Sequence, residues 1–377
     1  MDDIKAILNQ WAENPLEDFA LATIVRTTGS TYRKAGARML IAPDGTTTGM
    51  VSGGCLEREV AEHGRSVLQH GRSTLLSFDT RRLLGCNGAI DLLVEPVYSP
   101  INMEGHFFAT AWECLAQRRC LVASTLFEAE SPLEAEEIEL GTHPLIAESG
   151  RAFSTHGLPE SARLEGGTLF HATRPVERCY TMGGGRASVL LHNVSPPIRL
   201  YVCGGGPDVV PVAALAAQLG WEVRVVTHPS QEAPELPPLC MHVAGTAQEV
   251  GAQLLPDSRT ACVVMTHHYG RDLAWLSALL PLRLPYLGLL GPRKRFNELF
   301  NTLISETNLA DGDMTALDTL HSPIGLDLGA DGPEEIALSI VSEVKAVLSG
   351  RGGGFLRNRQ GAIHAENEPG ACTRVLT

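Results

Sequence analysis

The segment MVSGGCLEREV, residues 50–60, places a thiol beside two glycines where a strand-like run gives way to a helix-like one. Gly53 and Gly54 leave the main chain uncovered, and Cys55 is expected in the first turn of a helix over 55–70. A helix N-terminus favours the thiolate, which makes a cysteine a better nucleophile or soft-metal ligand. The same residues also fit a small buried side chain in a tight turn that only glycine can make, so both interpretations stand.

A second glycine-flanked thiol lies in LLGCNGAID, where Cys86 stands between Gly85 and Gly88. Its loop precedes a predicted strand, an arrangement that allows the side chain to point into a cleft. Three other cysteines lie in or beside apolar runs and are expected in the core: Cys203, Cys240 and Cys262.

The run RTTGSTYRKAGARML supplies Arg26, Arg33, Lys34 and Arg38 around a glycine-serine turn. The chain carries a formal net charge of -13, so an anionic ligand must be held by local groups. A basic cluster close in sequence to both thiol loops fits a phosphate clamp. A solvated hairpin is the alternative interpretation of the same residues.

The run YVCGGGPDVV predicts a strand, a glycine turn and a helix start, which together bring backbone N–H groups close to a phosphate. Gly204 and Gly206 fill the first two positions of the G-x-G-x-x-G pattern, whereas the third falls on Val209. The acidic residue that would bind a ribose diol after the next strand is replaced by Thr227 and His228. The pattern favours a nucleotide or another anion at this turn and argues against ordinary NAD use. A purely structural turn is the alternative.

The elements that must position the two thiol loops form an α+β domain over residues 1–195. An amphipathic helix is predicted near residues 2–14, and short β-rich runs punctuated by glycine follow it. The helix that follows Cys55 is expected to stop at Gly71. The periodic pattern of apolar residues is weaker over residues 101–195, where a helix near 107–117 and several strand-like pieces are predicted. The segment HNVSPPIR is expected to link this domain to the next.

Residues 196–350 alternate strands with helices, the pattern of a doubly wound parallel sheet with right-handed crossovers. The last helix is signalled by Pro333 at its start, acidic residues in its first turn and Gly350 after its end. The fold class is therefore α/β, with an amino-terminal α+β domain followed by a Rossmann-like domain. Residues 351–377 are expected to form a mobile tail.

Composition limits the kinds of partner that this chain can have. Its 377 residues are 44% hydrophobic and 19% charged, which is typical of a globular protein. The acidic balance excludes a nucleic-acid surface, and no apolar run is long enough for a membrane span. Nine cysteines without paired spacing or an export signal predict a reducing, cytoplasmic location.

Several of these segments, in this order, resemble the XdhC/CoxI family, the xanthine dehydrogenase accessory factors. The matching pieces are GSTYRKAGARMLI, GMVSGGCLEREV and LGCNGAIDLLVEP, then the glycine turn after PPIRLYV, VVMTH, YLGLLGPRKR and SPIGLDLGADGPEEIALSIVSEVKAV. The likeness covers most of residues 20–98 and 197–348. It implies a chaperone of the molybdenum cofactor (molybdopterin) rather than a catalyst. Such a protein binds the cofactor, protects it while its terminal sulfur is installed and passes it to a molybdenum hydroxylase.

The partners implied by the resemblance are a xanthine dehydrogenase-like molybdenum hydroxylase and a cysteine desulfurase, with a homodimer as the expected assembly. The cofactor combines a sulfur-loving metal with a phosphate tail, which suit thiolates and arginine forks respectively. We therefore expect Cys55 and Cys86 to face a shared cleft between the two domains, together with Arg33 and Arg38. In this hypothesis the two thiols contact the metal or its sulfur, and the glycines beside Cys55 contact the phosphate end.

Two other functions remain open on sequence grounds. The first is an NAD(P)-dependent oxidoreductase that uses the Rossmann-like domain, which gains support from Gly204 and Gly206 and loses it from Thr227. The second is a docking scaffold with neither ligand. Binding of a nicotinamide cofactor would favour the first, and copurification with a molybdenum hydroxylase without cofactor retention would favour the second.

Overall fold

Two units make up the chain in the computed structural model: Asp2–Pro196 and Pro197–Ile363. The structure describes residues 4–79, 88–99, 107–130, 140–146, 165, 174–182, 185–307 and 317–360. Within these residues no helix is both long enough and apolar enough to cross a bilayer. The predicted fold class is confirmed, with an α+β region in the first unit and a parallel sheet in the second.

The first sheet of the amino-terminal unit is antiparallel, with strand order β3-β2-β1-β5-β4. Its strands are β1 (Phe19–Gly29), β2 (Arg38–Ile41), β3 (Thr47–Gly49), β4 (Thr74–Asp79) and β5 (Gly88–Val97). Two helices accompany it, α1 (Ile4–Glu13) and α2 (Glu57–His70). The α2 helix packs closely on the sheet at Gly64. A Cβ at this position would lie only 2.5 Å from Cδ1 of Ile41, so glycine allows the close approach. As predicted, α2 stops at Gly71, which adopts a positive φ of 67°.

A second antiparallel sheet lies in the same unit, with strand order β7-β6-β9-β8. The elements are α3 (Phe107–Ala116), β6 (Leu121–Ala129), β7 (Gly141–Ile146), β8 (Val176–Met182) and β9 (Gly185–Val194). The prediction of HNVSPPIR as a linker is wrong over its first three residues, which complete β9. Polar His192 and Asn193 hide this strand in the sequence, whereas the structure pairs them with Ala123 and Val122 of β6.

Charged groups tie the two sheets of the amino-terminal unit together. Arg26 of β1 binds Asp91 on its own sheet at 3.2 Å and Glu128 and Glu177 on the other sheet at 2.9 and 2.8 Å. Its guanidinium also lies over the ring of Phe127. These bonds assign Arg26 to the scaffold rather than to the expected basic cluster.

The carboxyl-terminal unit is a six-stranded parallel sheet with strand order β12-β11-β10-β13-β14-β15. Its strands are β10 (Arg199–Cys203), β11 (Glu222–Thr227), β12 (Cys240–Ala244), β13 (Thr260–Val264), β14 (Tyr286–Leu289) and β15 (Leu320–His321). The helices are α4 (Val209–Gln218), α5 (Ala247–Gln253), α6 (Tyr269–Leu279), α7 (Arg293–Thr307) and α8 (Pro333–Leu348). The strand order reverses between β10 and β13, which is where doubly wound sheets bind ligands.

Several predictions for this unit are confirmed. Pro333 begins α8, and Gly350 follows its end with a φ of 61°. Cys203 and Cys262 are fully buried in the sheet, and this burial raises the pKa of both thiols. The core prediction is confirmed only in part for Cys240, which is partly buried and packs against the core from a strand at the edge of the sheet.

Candidate functional site

The Cys55 loop, residues 50–56, connects β3 to α2 in the amino-terminal unit. The helix begins at Glu57, with Leu56 as its N-cap residue. The prediction that Cys55 lies in the first helical turn is therefore wrong. The chain passes first through Gly54 at a φ of 101° and becomes helical only afterwards. Cys55 itself is exposed, with a free thiol.

Ser52 and Glu57 hold this loop in one shape. The Ser52 hydroxyl accepts hydrogen bonds from the backbone N–H groups of Cys55 and Leu56, at 3.1 and 3.0 Å. The backbone N–H and hydroxyl of Ser52 in turn donate to the Glu57 carboxylate. Partial burial opposes ionisation of Glu57, but the bonds from Ser52 outweigh it and lower the pKa of Glu57. The N–H groups of Cys55 and Leu56 are thus used within the loop. The expected phosphate contact of Gly53 and Gly54 stays a prediction.

We expect Ser52→Ala to lower the free energy of unfolding of the amino-terminal unit by about 1 kcal/mol, because two N–H groups at the start of α2 lose their acceptor. Urea unfolding measures this loss, and hydrogen exchange should rise in the peptide that carries Cys55. Ser66→Ala, at an exposed position of the same helix, is the matched control and should leave stability unchanged or slightly raised. Equal effects of the two substitutions would contradict the assigned role of Ser52.

An exposed aromatic ring stands beside the bare backbone of the Cys55 loop. Tyr32 keeps 70% of its surface exposed, and a Cβ on Gly53 would lie 3.7 Å from its ring. Such a ring can stack on a planar heterocycle. Sequence reasoning missed Tyr32, although its place between Thr31 and Arg33 in a polar turn was a signal that this side chain faces solvent.

The two arginines of the predicted phosphate clamp lie in different surroundings. Arg33 is partly exposed in the turn that carries Tyr32. Arg38 is buried, with 3% of its surface exposed. Its guanidinium lies 5.4 Å from the centre of the Phe107 ring and donates to Nδ1 of His192 at 3.1 Å. Arg38 therefore has a structural role in this conformation, which corrects its place in the clamp.

Cys86 lies outside the described residues, so the expected approach of its thiol to Cys55 stays a prediction. Among the residues that the structure does describe, no group of three or more His, Cys, Asp or Glu side chains could hold a metal ion. Cys55 is the exposed member of the described cysteines. The candidate site in this unit consists of the Cys55 loop with Tyr32 and Arg33.

The glycine turn, Gly204–Gly206, follows β10 in the carboxyl-terminal unit, as predicted. A Cβ on Gly204 would lie 2.5 Å from the backbone oxygen of Met265, so only glycine allows β10 and β13 to approach this closely. Asp208 follows the turn as the N-cap residue of α4. Its carboxylate lies 2.7 Å from Nε2 of His267, which has a positive φ of 56°. A carboxylate beside this turn weakens the attraction for a pyrophosphate.

A cleft of about 140 Å³ opens between the glycine turn and the ends of the neighbouring strands. Its walls include residues from the glycine turn, from β11 and from the starts of α5 and α6, among them Gly204, His228, Thr246, Thr266, Arg271 and Trp275. It lies at the carboxyl ends of the parallel strands, which is the usual ligand position in such sheets. The sequence predicted a ligand at this end of the sheet but not the cleft itself.

Two family models match the chain, one to each unit. The model described as the XdhC and CoxI family matches residues 14–79, and that described as the XdhC Rossmann domain matches residues 200–344. Together they span more than half of the sequence. This chain belongs to the XdhC and CoxI family. The resemblance inferred from the sequence motifs is confirmed, and the Cys55 loop and the glycine turn both lie within the matched residues.

Known proteins extend this XdhC/CoxI relationship to nearly the whole chain. A probable subunit of xanthine dehydrogenase from Bacillus subtilis strain 168 is 29% identical over 341 residues, covering 87% of this chain and 92% of the relative. The crystal structure of a xanthine dehydrogenase from Bacillus halodurans is 25% identical and superposes with a TM-score of 0.69, covering 93% of this chain and 97% of that one. The uncharacterized protein YqeB of Escherichia coli K12 is 30% identical over 198 residues, 50% of this chain and 35% of YqeB.

Proposed function

We propose that this XdhC/CoxI family protein is an accessory factor of a xanthine dehydrogenase-like molybdenum hydroxylase. In this proposal it binds the molybdenum cofactor and delivers the sulfurated form to the apoenzyme. Family membership supports the assignment, since two models match in the family order. The Bacillus relatives named for xanthine dehydrogenase support the identity of the enzyme served.

The observation that carries cofactor binding is an exposed thiol on a preformed glycine loop. A thiolate suits a soft metal centre such as that of the cofactor. Cys55 is held in place by the bonds between Ser52 and Glu57, so its position is set before any ligand arrives. The cofactor is cargo here, and its chemistry takes place in the enzyme that receives it.

The surroundings of Cys55 also fit the organic part of the cofactor. The Tyr32 ring offers an apolar face on which a pterin can stack. Arg33, in the same turn, offers a charged donor for the phosphate tail. Burial of Arg38 leaves this role to Arg33 and to the exposed Lys34 of the same turn.

The remaining parts of the proposal concern partners and location. A cysteine desulfurase would supply the sulfur, and a homodimer is the proposed assembly. We place the protein in the cytoplasm, where thiols stay reduced. The seven described cysteines carry thiols and form no disulfides among themselves.

Cofactor retention tests the role of Cys55. The full-length protein is mixed with isolated molybdenum cofactor and passed through gel filtration, and molybdenum and pterin are measured in the protein peak. We expect the wild type to retain both and Cys55→Ser to retain roughly tenfold less, since losing one soft-metal contact costs about 1.4 kcal/mol or more. Cys120→Ser is the matched control, because Cys120 is partly buried and contacts Ser195 at 3.5 Å.

The outcomes separate the proposal from its alternatives. Equal retention by Cys55→Ser and wild type would remove the thiol from the binding site. No retention by the wild type, together with copurification of a molybdenum hydroxylase, would favour a docking scaffold. Turnover of NADH or NADPH with an electron acceptor would favour the oxidoreductase alternative.

A further inference from the structure

The cleft in the carboxyl-terminal unit has no role in the proposed delivery of the molybdenum cofactor. It lies beside the glycine turn, between the carboxyl ends of β10 and β11 and the starts of α5 and α6. In a Rossmann-like sheet the residue after the second strand reads the ribose of a bound nucleotide. In this unit β11 is that strand, and it ends at Thr227. The side chains at and just after Thr227 therefore decide whether the cleft accepts a free ribose or a ribose with a phosphate.

Thr227 is occupied within the protein. It is buried, with 1% of its surface exposed, and its hydroxyl lies 2.8 Å from Nε2 of His242 on β12. An acid that binds a free ribose diol is absent at this position, and no Asp or Glu is among the described residues that line the cleft. The usual means of selecting an unphosphorylated ribose is therefore missing here.

A cluster of donors stands at the same place. Nδ1 of His228 accepts from the backbone N–H of Ser230 at 3.2 Å and from its hydroxyl at 2.8 Å, so the proton-bearing nitrogen of the ring is Nε2. Arg271, at the start of α6, donates from Nη2 to that same Oγ at 3.3 Å. His228 and Arg271 both line the cleft. Ser230 thus links the two side chains, and Nε2 of His228 and the other N–H groups of the Arg271 guanidinium remain as donors for a phosphate.

One carboxylate lies near this cluster. The pKa of Glu249 is lowered, and the electrostatic interaction with His228 is the weakest of the causes that lower it. The main causes are the hydrogen bonds from the backbone N–H and hydroxyl of Thr246, which form the capping box of α5. The carboxylate of Glu249 is thus engaged with Thr246 in the helix cap.

We infer that this cleft binds a nucleotide whose ribose carries a phosphate, as in NADP(H), and discriminates against the unphosphorylated ribose of NAD(H). Arg271 and His228 hold the ribose phosphate, and Ser230 positions these two side chains. The carboxylate of Asp208 beside the glycine turn weakens pyrophosphate binding for both cofactors equally, so selectivity comes from the ribose end. The cleft belongs to the carboxyl-terminal unit and the Cys55 loop to the amino-terminal unit, and the inference does not depend on the proposed delivery function.

Calorimetric titration of the full-length protein tests this inference with NADP⁺, NAD⁺, 2′,5′-ADP and 5′-ADP as probes. We expect NADP⁺ and 2′,5′-ADP to bind at least roughly tenfold more tightly than their counterparts without the 2′-phosphate. Arg271→Gln should weaken NADP⁺ binding by about ten- to a hundredfold, the usual effect of losing a charge-assisted hydrogen bond. It should change NAD⁺ binding by less than about twofold.

Arg357→Gln is the matched control, since Arg357 is exposed outside the cleft and stacks on Phe355. It should bind NADP⁺ as the wild type does. Unchanged melting temperature of Arg271→Gln excludes misfolding as the cause of its weaker binding. Equal affinity for NADP⁺ and NAD⁺, or binding of neither, would overturn the inference. The cofactor-retention assay of Arg271→Gln should match the wild type, so that failure here is distinguishable from failure of the proposed function.

Discussion

Asp272→Ala is expected to destabilise the carboxyl-terminal unit by about 2–4 kcal/mol, because it removes one partner of a buried ion pair. Asp272 lies on α6 with 1% of its surface exposed. Its carboxylate accepts hydrogen bonds from the Thr266 hydroxyl and from Nη2 of Arg295. The substitution therefore disconnects α6 both from the loop after β13 and from α7.

Solvent access sets the size of this effect. The Arg295 side chain is 27% exposed, so its guanidinium can regain water after the substitution, and the loss stays below that for a fully enclosed pair. Urea unfolding and hydrogen exchange of peptides from β13 and α6 measure the loss. Asp331→Ala, at an exposed position of the same unit, should change stability by less than about 0.5 kcal/mol. A similar small change for Asp272→Ala would show that its two bonds contribute little.

Local signals explain which elements the sequence could predict. The α8 helix could be predicted because its initial proline, the acidic residues of its first turn and the glycine after its end lie within one stretch of chain. The buried strands β10 and β13 could be predicted because each is a short apolar run. By contrast, β15 has only two residues and β12 is an edge strand with Met241 exposed, so neither has a pattern of its own.

The candidate sites were predictable only in part, because their geometry depends on residues distant in sequence. The glycines and Cys55 indicated a loop, but the bonds from Ser52 and Glu57 that hold it were not visible in the pattern. The pairing of Asp208 with His267 spans 59 positions and requires the strand order of the sheet. Basic residues that look alike in sequence also separate in space, since Arg38 is buried whereas Arg33 is partly exposed.

The buried guanidinium of Arg38 faces His192 of β9, and this contact determines how the histidine titrates. An arginine can only donate, so Nδ1 of His192 accepts and the neutral ring carries its proton on Nε2. Desolvation, and then the positive charge of Arg38, lower the pKa of His192 to about 3. The imidazole is thus held neutral at a pH where an unfolded chain would protonate it.

The amino-terminal unit is therefore expected to lose stability as the pH falls below about 6.5, the ordinary pKa of histidine. Because the folded pKa is depressed, the contribution is fully present above pH 6.5 and is lost as the pH falls toward about 3. A full shift gives about 1.4 kcal/mol per pH unit. His192 keeps partial exposure, so we expect about 1 kcal/mol per unit and a loss of about 2 kcal/mol between pH 6.5 and 4.5.

The substitution that tests this is His192→Gln, whose amide oxygen can still accept from Arg38 but cannot be protonated in this range. Urea unfolding, with hydrogen exchange followed in β9 peptides, should show a shallower pH dependence for the variant than for the wild type. The interval from pH 6.5 to 5 isolates the histidine, since the carboxylates whose pKa is lowered, such as Glu57, are still ionised there. His63→Gln, at an exposed position of α2, should retain the wild-type slope. Parallel slopes for His192→Gln and the wild type would mean that the acid sensitivity arises elsewhere in the unit.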